Sequence, residues 1–296
     1  MRTLVTLAFA LIAGAAQAQE RTWTDGLRLR LGADGIHSVD FGRTEVSYLR
    51  ARGALSLEGP LSDDWVGAAS WSLEYEGPRY EDEAGFLPAG GAPRDLVEST
   101  FRIGARRRVS DSWWLGAQPY LSAKLEPGAD LADSLKGGSV LVVGYTHGDD
   151  LEILAGAKVG TKLDRRGAFV WPYLRVRWQI RDDLQLRLEN ATLRLGYELS
   201  EDVELIAFAS GRTDRYRLDR SDAPALGPTP ATFGITEASA GVGARVRVTP
   251  RVRLSANAGL LFWQRIRIAD GDSDLLARRS THDRAPLLTL QLETRF

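Results

Sequence analysis

From Gly26 to Phe296 the chain alternates apolar and polar side chains with a period of two, the spacing of extended strands. In the closing segment Leu288, Leu290, Leu292 and Phe296 fall on one side, and Thr289, Gln291, Glu293 and Arg295 on the other. Thr294 is the exception, standing where a large apolar residue is more usual. Likewise Trp65, Gly67, Ala69, Trp71, Leu73 and Tyr75 oppose Ala68, Ser70, Ser72 and Glu74. The pattern predicts about fourteen strands: 26–33, 44–57, 65–75, 96–109, 113–125, 139–147, 151–160, 169–180, 184–189, 192–199, 203–210, 235–248, 252–268 and 286–296. If the first strand or the pair around Asn190-Ala191 is misread, the count is twelve.

Two sorts of connection alternate along the chain. Short ones carry the Ser, Asp and Pro chemistry of tight turns, as at Leu61–Asp64, Ser110–Ser112, Gly148–Asp150 and Thr249–Arg251. Long ones, richer in Gly, Pro and charge, run from Gly77 to Arg94, Pro127 to Gly138, Gly211 to Gly234 and Asp270 to Arg284. Short turns at the periplasmic end and longer loops outside are the habit of bacterial outer-membrane barrels, and an even strand number places both termini in the periplasm.

Alternation alone also suits a soluble β-sandwich with one face inward. Three features favour the membrane. Strands of about 9 to 15 residues exceed the usual 5 or 6 of globular sheets and match tilted membrane strands. Gly and Ala are frequent on the apolar face, where lipid fills irregularities that a protein core would have to pack. Trp65, Trp113 and Trp178 point to the apolar side near short turns, as a periplasmic aromatic girdle would, with Tyr75 and Phe262 candidates for the outer one. The fold expected is therefore an all-β, antiparallel transmembrane barrel. Phe296, at its final position, is a candidate insertion signal for the barrel-assembly machinery.

Residues 1–18 read as a signal peptide: Arg2, the apolar run Leu4 to Ala13, and the small-x-small site Ala16-Gln17-Ala18. The barrel domain is expected over 19–296, exported through a cleaved signal to the outer membrane of a Gram-negative bacterium. Composition narrows the rest. The 296 residues include no Cys, which removes disulfide scaffolds and Cys-ligated metal sites. The net charge of -1 gives no argument for a nucleic-acid partner. Outer-membrane lipid and lipopolysaccharide are the partners the class implies; the sequence leaves the oligomeric state open.

Arginine dominates the polar side. Arg50, Arg52, Arg102, Arg106, Arg175, Arg177, Arg187, Arg194, Arg245, Arg247, Arg265 and Arg267 are expected to face the lumen, joined by Arg253, Arg295, Lys124 and Lys158. Acids on that side, among them Glu74, Glu98, Glu152, Glu204, Glu237 and Glu293, are roughly half as many. Two readings follow: Arg–Glu ladders that fill and plug a structural barrel, or a passive pore favouring small anionic solutes. An enzyme acting on lipid or peptide is the alternative, and a soluble secreted barrel or sandwich binding a lipid-like ligand a third. The three histidines, His37, His147 and His282, sit in no context recognisable as catalytic, so no catalytic residue, cofactor or metal is assigned. Asp270-Gly271-Asp272-Ser273-Asp274 spaces carboxylates like the start of a calcium loop but lacks the distal Glu, and reads as a solvated loop or a weak divalent-ion contact with lipopolysaccharide.

The run Trp171-Pro172-Tyr173-Leu174-Arg175-Val176-Arg177-Trp178, then Leu193 to Leu199, Ile235 to Ile268, and Ala285 to Phe296, resembles an uncharacterised family of bacterial outer-membrane-like barrel proteins, grouped as a domain of unknown function. The resemblance implies a barrel in the outer membrane. It carries over no substrate and no catalytic residue.

Overall fold

The computed structural model describes residues 26–42, 44–82, 92–163, 167–219, 231–269 and 275–296, with the backbone alone at 275–277. The expected signal peptide and the Asp270 to Asp274 run lie outside them. Fifteen antiparallel strand segments form one sheet: β1 (Arg28–Asp40), β2 (Glu45–Pro60), β3 (Trp65–Tyr80), β4 (Leu96–Arg108), β5 (Trp113–Leu125), β6 (Leu135–His147), β7 (Leu151–Thr161), β8 (Ala168–Arg181), β9 (Leu184–Glu189), β10 (Thr192–Ser200), β11 (Val203–Arg217), β12 (Thr232–Thr249), β13 (Val252–Ala269), β14 (Leu275–Thr281) and β15 (Ala285–Arg295). Among the described residues a single short helix, α1 (Leu131–Ser134), precedes β6, capped by the Asp130 carboxylate.

From β1 to β13 each strand pairs with the next, and β15 pairs with both β13 and β1, which closes the sheet. β14 and β15 lie end to end on one edge of β13: β15 beside residues 252–261, β14 beside 264–269. They share one stave, so the fifteen segments make a closed fourteen-strand barrel. Closure pairs the first stave with the last, so neither terminal strand stands as an open edge in lipid.

The short turns behave as their residues dictate. The Ser110 hydroxyl accepts from the Trp113 N–H at 3.2 Å, and the Thr249 hydroxyl from the Val252 N–H at 3.1 Å. At the opposite end the strands run further than the alternation indicated. β3 continues to Tyr80, β6 begins at Leu135, β11 reaches Arg217 and β12 begins at Thr232. Their Gly, Pro and charge content resembles loop sequence. The side chains instead turn into the barrel: Glu76, Leu96, Tyr216 and Phe233 are all buried. These ends carry an interior apolar cluster built from Ile36, Val46, Tyr48, Leu96, Tyr216, Phe233, Ile266 and Ile268 among others.

The outer surface inverts the usual arrangement. Leu49, Phe101, Leu141, Val143, Leu193, Val242, Leu254 and Leu290 are large, apolar and exposed around the whole circumference, while ion pairs lie inside. A soluble sandwich is excluded by the closed sheet, and a water-facing apolar belt of this extent would drive aggregation. In a bilayer it is the contact surface.

Candidate functional site

The interior divides into two lobes at the end bearing the longer connections. β11 and β5 face each other across the barrel, yet the Glu126 N–H donates to the Arg217 carbonyl at 2.8 Å, and Arg217 pairs with Leu125 in parallel register. Below this contact Lys124 from β5 holds Asp214 from β11 at 2.6 Å and also pairs with Glu98. The opposite walls are thus pinched together, with one lobe between β11 and β5 by way of β1 and the other by way of β8.

The first lobe is filled. Arg50, on β2, donates to both carboxylate oxygens of Glu237 on β12, at 2.7 and 2.8 Å, and to Glu76 on β3 at 3.0 Å. Gln264 donates to Glu237 at 3.4 Å, and Arg212 pairs with Glu74, Glu76 and Asp214. The side chains of Arg50, Glu76 and Glu237 are 3%, 1% and 8% exposed. Charges this dry survive because each has an opposite partner and further hydrogen bonds. The apolar cluster packs beside them.

The second lobe is hollow. A cavity of about 920 Å³ is lined by inner-face residues of β4 to β8, among them Arg102, Tyr120, Lys136, Lys158 and Tyr173. Its lining holds Arg102, Lys136, Lys158 and Lys162, with Lys124 and Arg212 already paired to Glu98, Asp214, Glu74 and Glu76 and with Arg215 and Arg267 from the outer face of the wall; its carboxylates are Glu98 and Glu237. Lys158 lies over the Tyr120 ring at 4.9 Å. Arg102, Lys136 and Lys158 form no salt bridge among the described residues. A smaller cavity of about 160 Å³ continues toward the short turns, shares Val140 and Tyr173 with the first, and adds Arg106 and Arg175. At the short-turn mouth a third, of about 140 Å³, brings Arg187, Arg245, Arg247 and Arg253 against Glu198, Glu201, Asp202 and Glu204. Basic excess therefore belongs to the large cavity, and the mouth is balanced.

A closed barrel with lipid-facing apolar side chains and charges within has one setting. The chain is an outer-membrane β-barrel. Similar solved structures include the COG4313 outer membrane channel from Pseudomonas putida F1, at TM-score 0.45 and 12% identity over 92% of this chain and 96% of that one. The toluene transporter TodX from Pseudomonas putida gives TM-score 0.38 and 13% identity over 92% and 90%, and outer membrane phospholipase A from Escherichia coli 0.39 and 11% over 96% of each. No protein-family model matches the chain. No curated protein matches it either.

Ten of the twelve expected basic residues lie on the inner face: Arg50, Arg52, Arg102, Arg106, Arg175, Arg177, Arg187, Arg194, Arg245 and Arg247. Arg52 pairs with Asp34, Arg106 with Glu58 at 3.0 Å, Arg175 and Arg177 with Glu152 at 3.6 and 3.7 Å, and Arg245 with Glu204 at 2.6 Å. Arg265 and Arg267 are corrected to the outer face. They alternate with buried Gln264, Ile266 and Ile268, and Ile266 is registered against buried Ile235. The cause is a bulge opposite Ala238 and Ser239, where β13 carries one extra residue and every side chain beyond it changes sides. Trp65, Trp113 and Trp178 project outward beside the short turns, and Phe296 joins that end through its N–H to the Leu27 carbonyl at 3.1 Å. Phe262 is exposed at the bulge; the Tyr75 hydroxyl donates to Asp95 at 2.5 Å. His147 ends β6 at the short turns, whereas His37 and His282 lie at the other end, so the fold does not gather them. Sequence reasoning passed over Lys136, which it placed in a loop.

Proposed function

We propose that the protein is a narrow outer-membrane channel favouring small anionic solutes, running through the hollow lobe from the basic cavity past Tyr173 to the short-turn mouth. The observation that carries this reading is the group Arg102, Lys136 and Lys158 on the inner wall of the large cavity, none of which forms a salt bridge among the described residues. Such a surplus in a low-dielectric wall concentrates anions and repels cations. The filled lobe makes the conducting section a fraction of the barrel's width, so small unitary currents are expected. On this reading the first 18 residues are removed on export and Phe296 guides insertion.

The test is single-channel recording in planar bilayers, with insertion verified by strand circular dichroism and protease resistance. A salt gradient should give a reversal potential on the anion side. A cation-selective current, or none from an inserted barrel, would overturn the channel and leave a plugged structural barrel.

A further inference from the structure

The hollow lobe has a gap in its wall. β9 is 6 residues long and β10 is 9, between β8 of 14 and β11 of 15. At ~3.3 Å per residue and a tilt near 40°, six residues rise roughly 15 Å of an apolar band about 25 Å tall. The hairpin stops at Asn190, whose φ of 52° is the left-handed conformation a two-residue turn requires. Above it, residues 168–173 of β8 and 212–216 of β11 have no strand partner on their facing edges among the described residues. Irregular backbone at bilayer depth is tolerated where it borders a cavity, and the basic cavity lies here.

That cavity passes through the gap. Its lining joins inner-face Lys136, Lys158 and Trp171 to Asn190 and Ala191 on the sill, and then to Gly211, Ala238 and Trp263 on the outer face of β11–β13. At its axial side the Arg217 guanidinium donates to the Asp133 carbonyl at 3.2 Å and to the Leu163 carbonyl, tying α1 and Leu163 to β11. We propose that this side window admits a single-chain anionic amphiphile from the membrane, its headgroup on Arg102, Lys136 and Lys158 and its alkyl chain along Gly211, Ala238 and Trp263. The proposal rests on the basic cavity that carries the channel reading and names its substrate class. A carboxylate or phosphate headgroup meets three cations that form no salt bridge among the described residues, and the alkyl chain meets small and aromatic residues already facing lipid.

The experiment is quenching of tryptophan fluorescence by 12-bromododecanoate, with the barrel inserted in phosphatidylcholine vesicles and chloride conductance measured in parallel. Saturable quenching is expected, with an affinity about tenfold above that for neutral 12-bromododecanol, the order of one charge-assisted contact. Trp171→Phe should remove part of the quenched signal. The double variant Lys136→Gln/Lys158→Gln should abolish the preference for the acid. Gly211→Leu should weaken binding by narrowing the window; a Cβ there meets nothing nearer than Ala191 Cβ at 3.4 Å, so the barrel accommodates it. Equal, unsaturable quenching by acid and alcohol would mean bilayer partitioning alone and overturn the site. Displacement by added phosphatidylglycerol would overturn the single-chain assignment in favour of a bilayer lipid. Chloride current without saturable quenching defeats the window and spares the channel; saturable quenching without current does the reverse.

Discussion

Around Arg50 the lumen brings acids from two strands onto each cation, whereas around Lys136 and Lys158 the cations face a cavity of about 920 Å³ with two carboxylates on its lining. Both regions draw on the same inward faces, at the same end of one barrel. The difference is in which staves meet. β2, β3, β11 and β12 bring Glu74, Glu76, Asp214 and Glu237 within reach of Arg50, Arg212 and Lys124, and the walls draw together. β6 and β7 bring lysines toward a stretch where β9 and β10 are too short to supply an opposing wall. Satisfied charge makes a strut; unsatisfied charge makes a site.

The strut should be the most costly place to cut. Arg50→Met leaves Glu237 buried without its cation and Glu76 with Arg212 alone, a loss of about 3–5 kcal/mol by analogy with other broken buried pairs. Urea unfolding of the reconstituted barrel reads it directly. Adding Glu76→Gln and Glu237→Gln should recover most of the loss, because neutral amides need no counter-charge. A single variant as stable as the parent would show the network to be ornamental, and the contrast between the lobes would fall.

Next in size is a test of the outer face. Leu141, exposed near the middle of β6, should lose about 2–4 kcal/mol on Leu141→Arg if it faces the bilayer midplane. The same change on a water-facing surface costs little. Refolding into vesicles measures the loss; indifference to the arginine would remove lipid from that side of the wall.

Much of this architecture was readable from alternation. Period two gives the strands, the Ser, Asp and Pro clusters give the short turns, and the stave count follows. The two-lobed interior was not readable, since a sequence reports neighbours along and across adjacent strands but not which opposite walls touch. Arg50 and Glu237 lie four staves apart and Lys124 and Asp214 farther still. The misplacement of Arg265 and Arg267 had a signal. Leu260-Leu261-Phe262-Trp263 is a run of consecutive apolar residues that interrupts strict alternation, as a bulge does. Lys136 was missed because Gly137-Gly138 beside it suggested a loop, although β6 already begins at Leu135.

The smallest effect concerns the sill in the outer wall of the hollow lobe, and it separates a wall that is short by sequence from one that is short by accident. Asn190 adopts φ 52°, which asparagine and glycine tolerate and β-branched residues do not. Asn190→Val should therefore cost about 1–2 kcal/mol, while Asn190→Gly stays within a few tenths. Paired urea titrations of the two variants decide the matter. If valine is accepted as readily as glycine, the turn has other conformations open to it, the hairpin is free to lengthen, and the low wall beside the basic cavity is not fixed by its own residues.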